Sequence, residues 1–175
     1  GDNPHLWYGP EAVHAVAGAI TTELKSLAPQ AAAYFDNRAA SWRAEMRPYD
    51  DEVARVRRLV GGSVAYVASE PVFDYMARSI GLVDETPRGY ERAAANQVEP
   101  APGDLHELER ALRSGSIDVL IVNTQTASSI SDQLRAAARS AGVPVVDVTE
   151  SPPRGTSFVS WQVGELDALA KVLDR

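Results

Sequence analysis

Residues 64–82, VAYVASEPVFDYMARSIGL, constrain the fold more than any other stretch. They read as a strand, a sharp turn and a helix in immediate succession. Val64, Ala65, Tyr66 and Val67 form an unbroken apolar run, the pattern of a strand buried on both faces. Ser69 is placed to cap the helix, and Pro71 fits its first turn, where a missing N–H leaves nothing unsatisfied. Phe73, Met76, Ala77 and Ile80 recur at helical spacing, and Gly81 ends the helix. Glu70 is thereby displayed at the C-terminal end of a strand, where open α/β sheets bind their ligands. The helix dipole gives a first-turn acid an ordinary structural explanation as well.

The same alternation continues to the end of the chain. Leu82 and Val83 form a second short strand, followed by Asp84 and Glu85. Residues 86–102 are polar and proline-containing, a loop with room for a turn of helix near Tyr90. Asp104 caps a helix that turns Leu105, Leu108, Ala111 and Leu112 inward, with His106 outside that stripe and Gly115 as its stop. Residues 117–122, IDVLIV, are a third strand. Ser128 or Ser129 caps a helix that Gly142 ends, residues 143–148 form a fourth strand, and a last helix starts near Ser157. Strands alternating with helices predict an α/β fold, a four-stranded parallel sheet with helices on both faces. Right-handed crossovers make 2-1-3-4 the simplest strand order.

Ahead of the sheet, Val13, Val16, Ala17, Ile20, Leu24 and Leu27 fall on one stripe of a helix starting at Pro10. His14 lies beside that stripe, as a solvated residue. From Pro29, Phe35, Ala39, Trp42, Met46, Tyr49, Val53, Val56 and Val60 alternate by four and three. That spacing predicts one long helix kinked at Pro48, with two helices broken there as the alternative. Two helices bury too little surface to stand alone as a domain.

A net charge of −7 argues against binding along nucleic-acid phosphates. The absence of cysteine excludes disulfides, thiolate catalysis and cysteine-ligated zinc. The opening GDNPHLWYGP is loop-like with nothing before it as an anchor, so the chain is expected to be part of a longer protein. Past the four strands lie Glu70, then Asp84 and Glu85, then Asn123 and Gln125, then Glu150. Several acids on one sheet edge suit general acid–base chemistry or a metal ion. Glu70 and Glu150 end strands separated by one other, so their backbones stand about 10 Å apart, close enough for the side chains to meet at one ion. No glycine-rich phosphate loop follows a strand, and no nucleophile elbow is present. His5 sits between prolines, beside Trp7 and Tyr8, on a loop rather than a helix face.

Here the chain resembles the zinc- and manganese-specific solute-binding proteins of bacterial ABC importers. Asn3, Pro4, His5, Leu6, Trp7, Tyr8, Gly9 and Pro10 are similar to that family's D/N-P-H-x-W-x-x-P segment. SEPVFDYMARSIGL is similar to its strand, ligand and aromatic-rich helix, and Thr149, Glu150 and Ser151 to its T-D/E-S end. The resemblance implies His5, Glu70 and Glu150 as metal ligands, one short of a full set. It leaves Asn123, where the family often has glutamate, unassigned. It further implies a capture subunit, not an enzyme, with zinc or manganese as transported cargo and no catalytic cofactor. The partner is a membrane permease, and the location is extracytoplasmic, at the cell surface or in the periplasm, with a lipid anchor on the full-length protein. Residues 1–28 are then the remnant of an N-terminal lobe, 29–61 a linking helix and 62–175 the C-terminal lobe. Without its lobe the first helix's apolar stripe is expected to self-associate, and His5 to be loosely held. The readings set against this are a metal-dependent hydrolase using the strand-end acids and a non-metal adhesion or interaction domain.

Overall fold

The computed structural model describes residues 3–126 and 128–174. Leu6–Tyr8 form a short 3-10 turn that leads into helix α1, Pro10–Leu27. A second 3-10 turn, Pro29–Ala31, precedes α2, Ala32–Val60. The rest alternates as β1 Ala65–Ala68, α3 Asp74–Ile80, β2 Val83–Asp84, α4 Arg88–Ala95, α5 Pro102–Arg113, β3 Val119–Asn123, α6 Ser129–Ala141, β4 Val145–Val148 and α7 Phe158–Leu173. All strand pairs are parallel, in the order β2-β1-β3-β4.

Because side chains alternate across a strand, the sheet separates two apolar layers. Tyr66, Ala68, Val119, Ile121, Val146 and Val148 face α2, α3 and α7. Val67, Leu120 and Val122 face Tyr90 of α4, Leu108 and Leu112 of α5 and Leu134 of α6. Every residue of β3 is buried, as its apolar VLIV run requires.

α2 is continuous through Pro48 over 29 residues, about 44 Å of helix, so the one-helix reading holds. It buries Met46, Tyr49, Val53, Val56 and Val60 against α7 and α3. Gly61 closes it with φ +58°, a conformation that disfavours a Cβ.

Four local expectations change. Ser69 and Pro71 precede α3 in a turn rather than starting it, and Phe73 is the N-terminal boundary residue. Ser69 instead spends its hydroxyl on the N–H of Asn123 (3.1 Å). The loop around Tyr90 contains a full helix, α4, docked by the buried Tyr90 ring, which offsets its polar composition. α5 starts at Pro102, with Asp104 in its first turn and no side-chain cap. His14 pairs with Asp50 (2.8 Å) and meets the edge of Trp42 (5.3 Å), joining α1 to α2 instead of merely facing solvent.

Candidate functional site

The C-terminal ends of β1, β3 and β4 converge on one cleft of about 890 Å³, lined by His5, Glu70, Asp74, Tyr90 and Glu150 among others. Register sets the convergence: Ala68 pairs with Ile121, and Asn123 with Val148. Glu70 and Glu150 each lie two residues beyond their strand. The end of β3 therefore sits between them, and the residue it presents there is Asn123.

Asn123 is 2% exposed, and its orientation is fixed. Its Oδ1 accepts the N–H of Gln125 (3.0 Å), which turns Nδ2 toward the acids. That amide donates to Glu70 Oε2 (2.9 Å) and to Glu150 Oε1 (3.0 Å). Thr126 donates its hydroxyl to the other oxygen of Glu70 (2.5 Å). The two carboxylates meet at one point, and it is an amide that joins them. Sequence reasoning placed Asn123 at the sheet edge but gave it no role; the 2-1-3-4 order, with β3 between β1 and β4, was the signal for one.

His5 is held from its back. Asn3 Nδ2 donates to the carbonyl of Pro71 (2.6 Å), so Asn3 Oδ1 is the acceptor for both the backbone N–H (3.0 Å) and Nδ1 (2.7 Å) of His5. Nδ1 therefore carries a proton, and in the neutral ring Nε2 has the free lone pair. Nε2 stands 3.9 Å from Glu150 Oε1. Tyr75 donates its hydroxyl to the carbonyl of Asn3 (2.9 Å), and the edge of Trp7 meets the His5 ring at 5.4 Å. The loop is thus pinned to α3, contrary to the expectation of a loosely held histidine. Asn3 is hydrogen-bonded to both His5 and Pro71.

A buried network aligns the Glu150 side. Glu165 of α7 accepts from the Thr149 N–H (2.9 Å) and from the Trp161 indole (2.8 Å). Tyr8, three residues after His5, lies 2.6 Å from both Glu165 Oε2 and the Thr149 carbonyl. One phenol proton serves one acceptor at a time, so Tyr8 shares it between the Thr149 carbonyl and Glu165. Burial raises the Glu165 carboxyl, against its hydrogen bonds from Tyr8, Thr149 and Trp161. Asp74, beneath the His5 loop, is pushed up to about 6, first by burial and then by Asp84. Asp84 and Glu85 stay at the exposed β2 edge, with Asp84 bonded to the N–H of Thr86 (2.8 Å). Gln125 joins the Glu150 loop through Ser151 (3.0 Å).

Among the described residues, no three His, Asp or Glu side chains already surround one point in chelating geometry. The three expected ligands share one cleft, with the Asn123 amide between the two acids.

A comparison with curated protein sequences finds no significant match. Among solved structures, the chain is similar to a Cd-bound periplasmic metal binding protein from Candidatus Liberibacter asiaticus, with TM-score 0.75 and 14% identity over 98% of this chain and 64% of that one. It is similar to the periplasmic zinc binding protein TroA from Treponema pallidum, with TM-score 0.74 and 20% identity over 99% and 64% of the two chains. It is also similar to the laminin-binding adhesin Lmb from Streptococcus agalactiae, with TM-score 0.74 and 21% identity over 98% and 63%. The chain thus spans just under two thirds of these proteins' lengths. A family profile matches it over residues 1–172, and the chain belongs to the family of the periplasmic zinc-uptake complex component A, ZnuA.

Proposed function

We propose that the chain is the metal-holding part of a capture subunit serving an ABC importer, with zinc or manganese as cargo. His5, Glu70 and Glu150 are its protein ligands, through imidazole Nε2 and two carboxylates. One observation carries the reading: the Asn123 amide joins both acids, and His5 Nε2, its tautomer set by Asn3, faces the same place. An outer hydrogen bond that fixes a histidine tautomer is the usual support for a metal ligand. Residues 1–28 remain from an N-terminal lobe, 29–61 link, and 62–175 form the C-terminal lobe. The membrane permease is the partner, and the protein works outside the cytoplasm, lipid-anchored in its full-length form.

The family is one of substrate-binding components, and the reading assigns no catalytic step. Calorimetry with zinc and with manganese is the test. His5→Ala, Glu70→Gln and Glu150→Gln should each weaken zinc binding by more than about tenfold, the loss that even an outer-shell partner brings. Unaltered affinity in all three, or ester hydrolysis with turnover, would replace this reading with the adhesion or the hydrolase alternative.

A further inference from the structure

Of the helices packed on the sheet, α4 buries the least. Tyr90 is its single buried residue, whereas α3 buries Asp74, Met76, Ala77 and Ile80 and α6 buries Ser131, Leu134, Ala137 and Ala138. α5 is the helix it packs against. That contact is tight at the start of α4, where Gly89 lies so close to the Asp104 carboxylate that no Cβ would fit. One position on, the Tyr90 hydroxyl donates to the Ser69 carbonyl at 3.2 Å, longer than the usual range of about 2.5–3.0 Å. The far end is tied to itself, with the Val98 N–H on the Ala93 carbonyl (3.0 Å). Gln97 closes that turn at φ +55°, a left-handed conformation that is costly for any residue but glycine. Ala94, Ala95, Val98 and Pro100 from this end line the strand-end cleft. Charge adds to the looseness. Glu91 of α4 shares a small void with Glu70, Asp74 and Asp84. Its charge joins burial and Asp84 in raising the Asp74 carboxyl, while Arg78 lowers it. Like charges across a closing face push it apart.

We infer that α4 is a flap over the strand-end cleft: it pivots at Gly89 against α5, is latched by Tyr90 to Ser69, and opens while the rest of the fold stays closed. The structure shows it shut. Ser69 precedes Glu70 and also holds the N–H of Asn123 (3.1 Å), so the latch closes on the turn that displays the first acid. Shut, α4 forms one wall of the cleft; open, it widens the way in to Glu70 and Asp74. A helix with one buried side chain and one long latch bond opens at far lower cost than the whole fold. The flap operates whether or not the cleft takes a metal ion.

Amide hydrogen exchange on the 175-residue chain tests it without a ligand. Residues 91–95 are expected to exchange at least about a hundredfold faster than β3, at a rate that low denaturant leaves unchanged. Exchange of α4 in step with β3, with the same response to denaturant, overturns the flap. Two substitutions then separate latch from repulsion. Tyr90→Phe keeps the ring and removes the latch, and should speed exchange in α4 about fivefold, the weight of one hydrogen bond. Glu91→Gln removes the repulsion and should slow it about twofold, the scale of a surface charge pair. Shifts in the same direction, or no shift in either variant, overturn the assigned latch and charge. The unsubstituted chain gives its answer even where a substitution unfolds the protein.

Discussion

Glu165 shows at the residue scale how a group far from the cleft in sequence comes to align it. Its carboxyl gathers Thr149, Trp161 and Tyr8, and so ties the residue before Glu150 to the turn after His5. A glutamine has the shape of a protonated glutamic acid and retains one acceptor and one donor site. Glu165→Gln should therefore unfold within about 1 kcal/mol of the parent at pH 7, whereas Glu165→Leu should lose about 2–4 kcal/mol through the stranded Thr149 and Trp161 donors. Denaturant melts measure both. The pH dependence has a definite sign. A buried acid with a raised folded pKa contributes stability that is complete below its unfolded value, about 4.3, and fades as pH rises through the folded value. Glu165→Gln should flatten that part of the profile. None of this was visible in sequence, where Glu165 is one acid in the last helix.

At the scale of elements, α1 is the least satisfied. Its stripe was legible from spacing, yet Val16, Ile20, Leu24 and Leu27 remain 57, 55, 39 and 73% exposed. Two apolar grooves flank it: Val13, Val16, Trp42, Met46 and Phe158 line one, and Ala17, Ile20, Leu24 and Phe35 the other. An exposed apolar face of this kind seeks a cover. The chain alone is expected to self-associate through α1 at high concentration. Sedimentation should show dimer or larger species, and the double variant Ile20→Glu, Leu24→Glu should return it to monomer. A monomer at every concentration would remove the idea. α4 teaches the opposite lesson. Its apolar content is too low for a periodic signal, and it is docked by Tyr90, whose hydroxyl donates to the Ser69 carbonyl (3.2 Å). Burial of one ring decided what propensity left as a loop.

For the molecule as a whole, the cleft, the sheet and both apolar layers form one connected body. Ligand binding there should be felt in global unfolding. Zinc at about 100 times its dissociation constant is expected to add about 2.7 kcal/mol, and a chelator should reverse the gain. The midpoint of thermal unfolding reads it directly. With three protein donors the affinity should be weaker than in a four-ligand site, since every missing donor leaves an ion more exposed to water. A thermal midpoint indifferent to zinc would count against ligands drawn from three separate segments of the fold.

The sequence by itself determined the α/β class, the 2-1-3-4 order, the continuous α2 and the placing of Glu70 and Glu150 past their strands. Those follow from periodicities and crossover handedness, which are local or nearly so. Only the tertiary structure decided what stands between the acids. Asn123 is 53 residues from Glu70 and 27 from Glu150, and register rather than spacing brings the three together. The hold on His5 is likewise long-range: Asn3 reaches Pro71 across 68 positions, through an amide orientation that no sequence pattern encodes. Hydrogen-bond geometry depends on where packed elements come to rest, and that is fixed only once both faces of the sheet are covered.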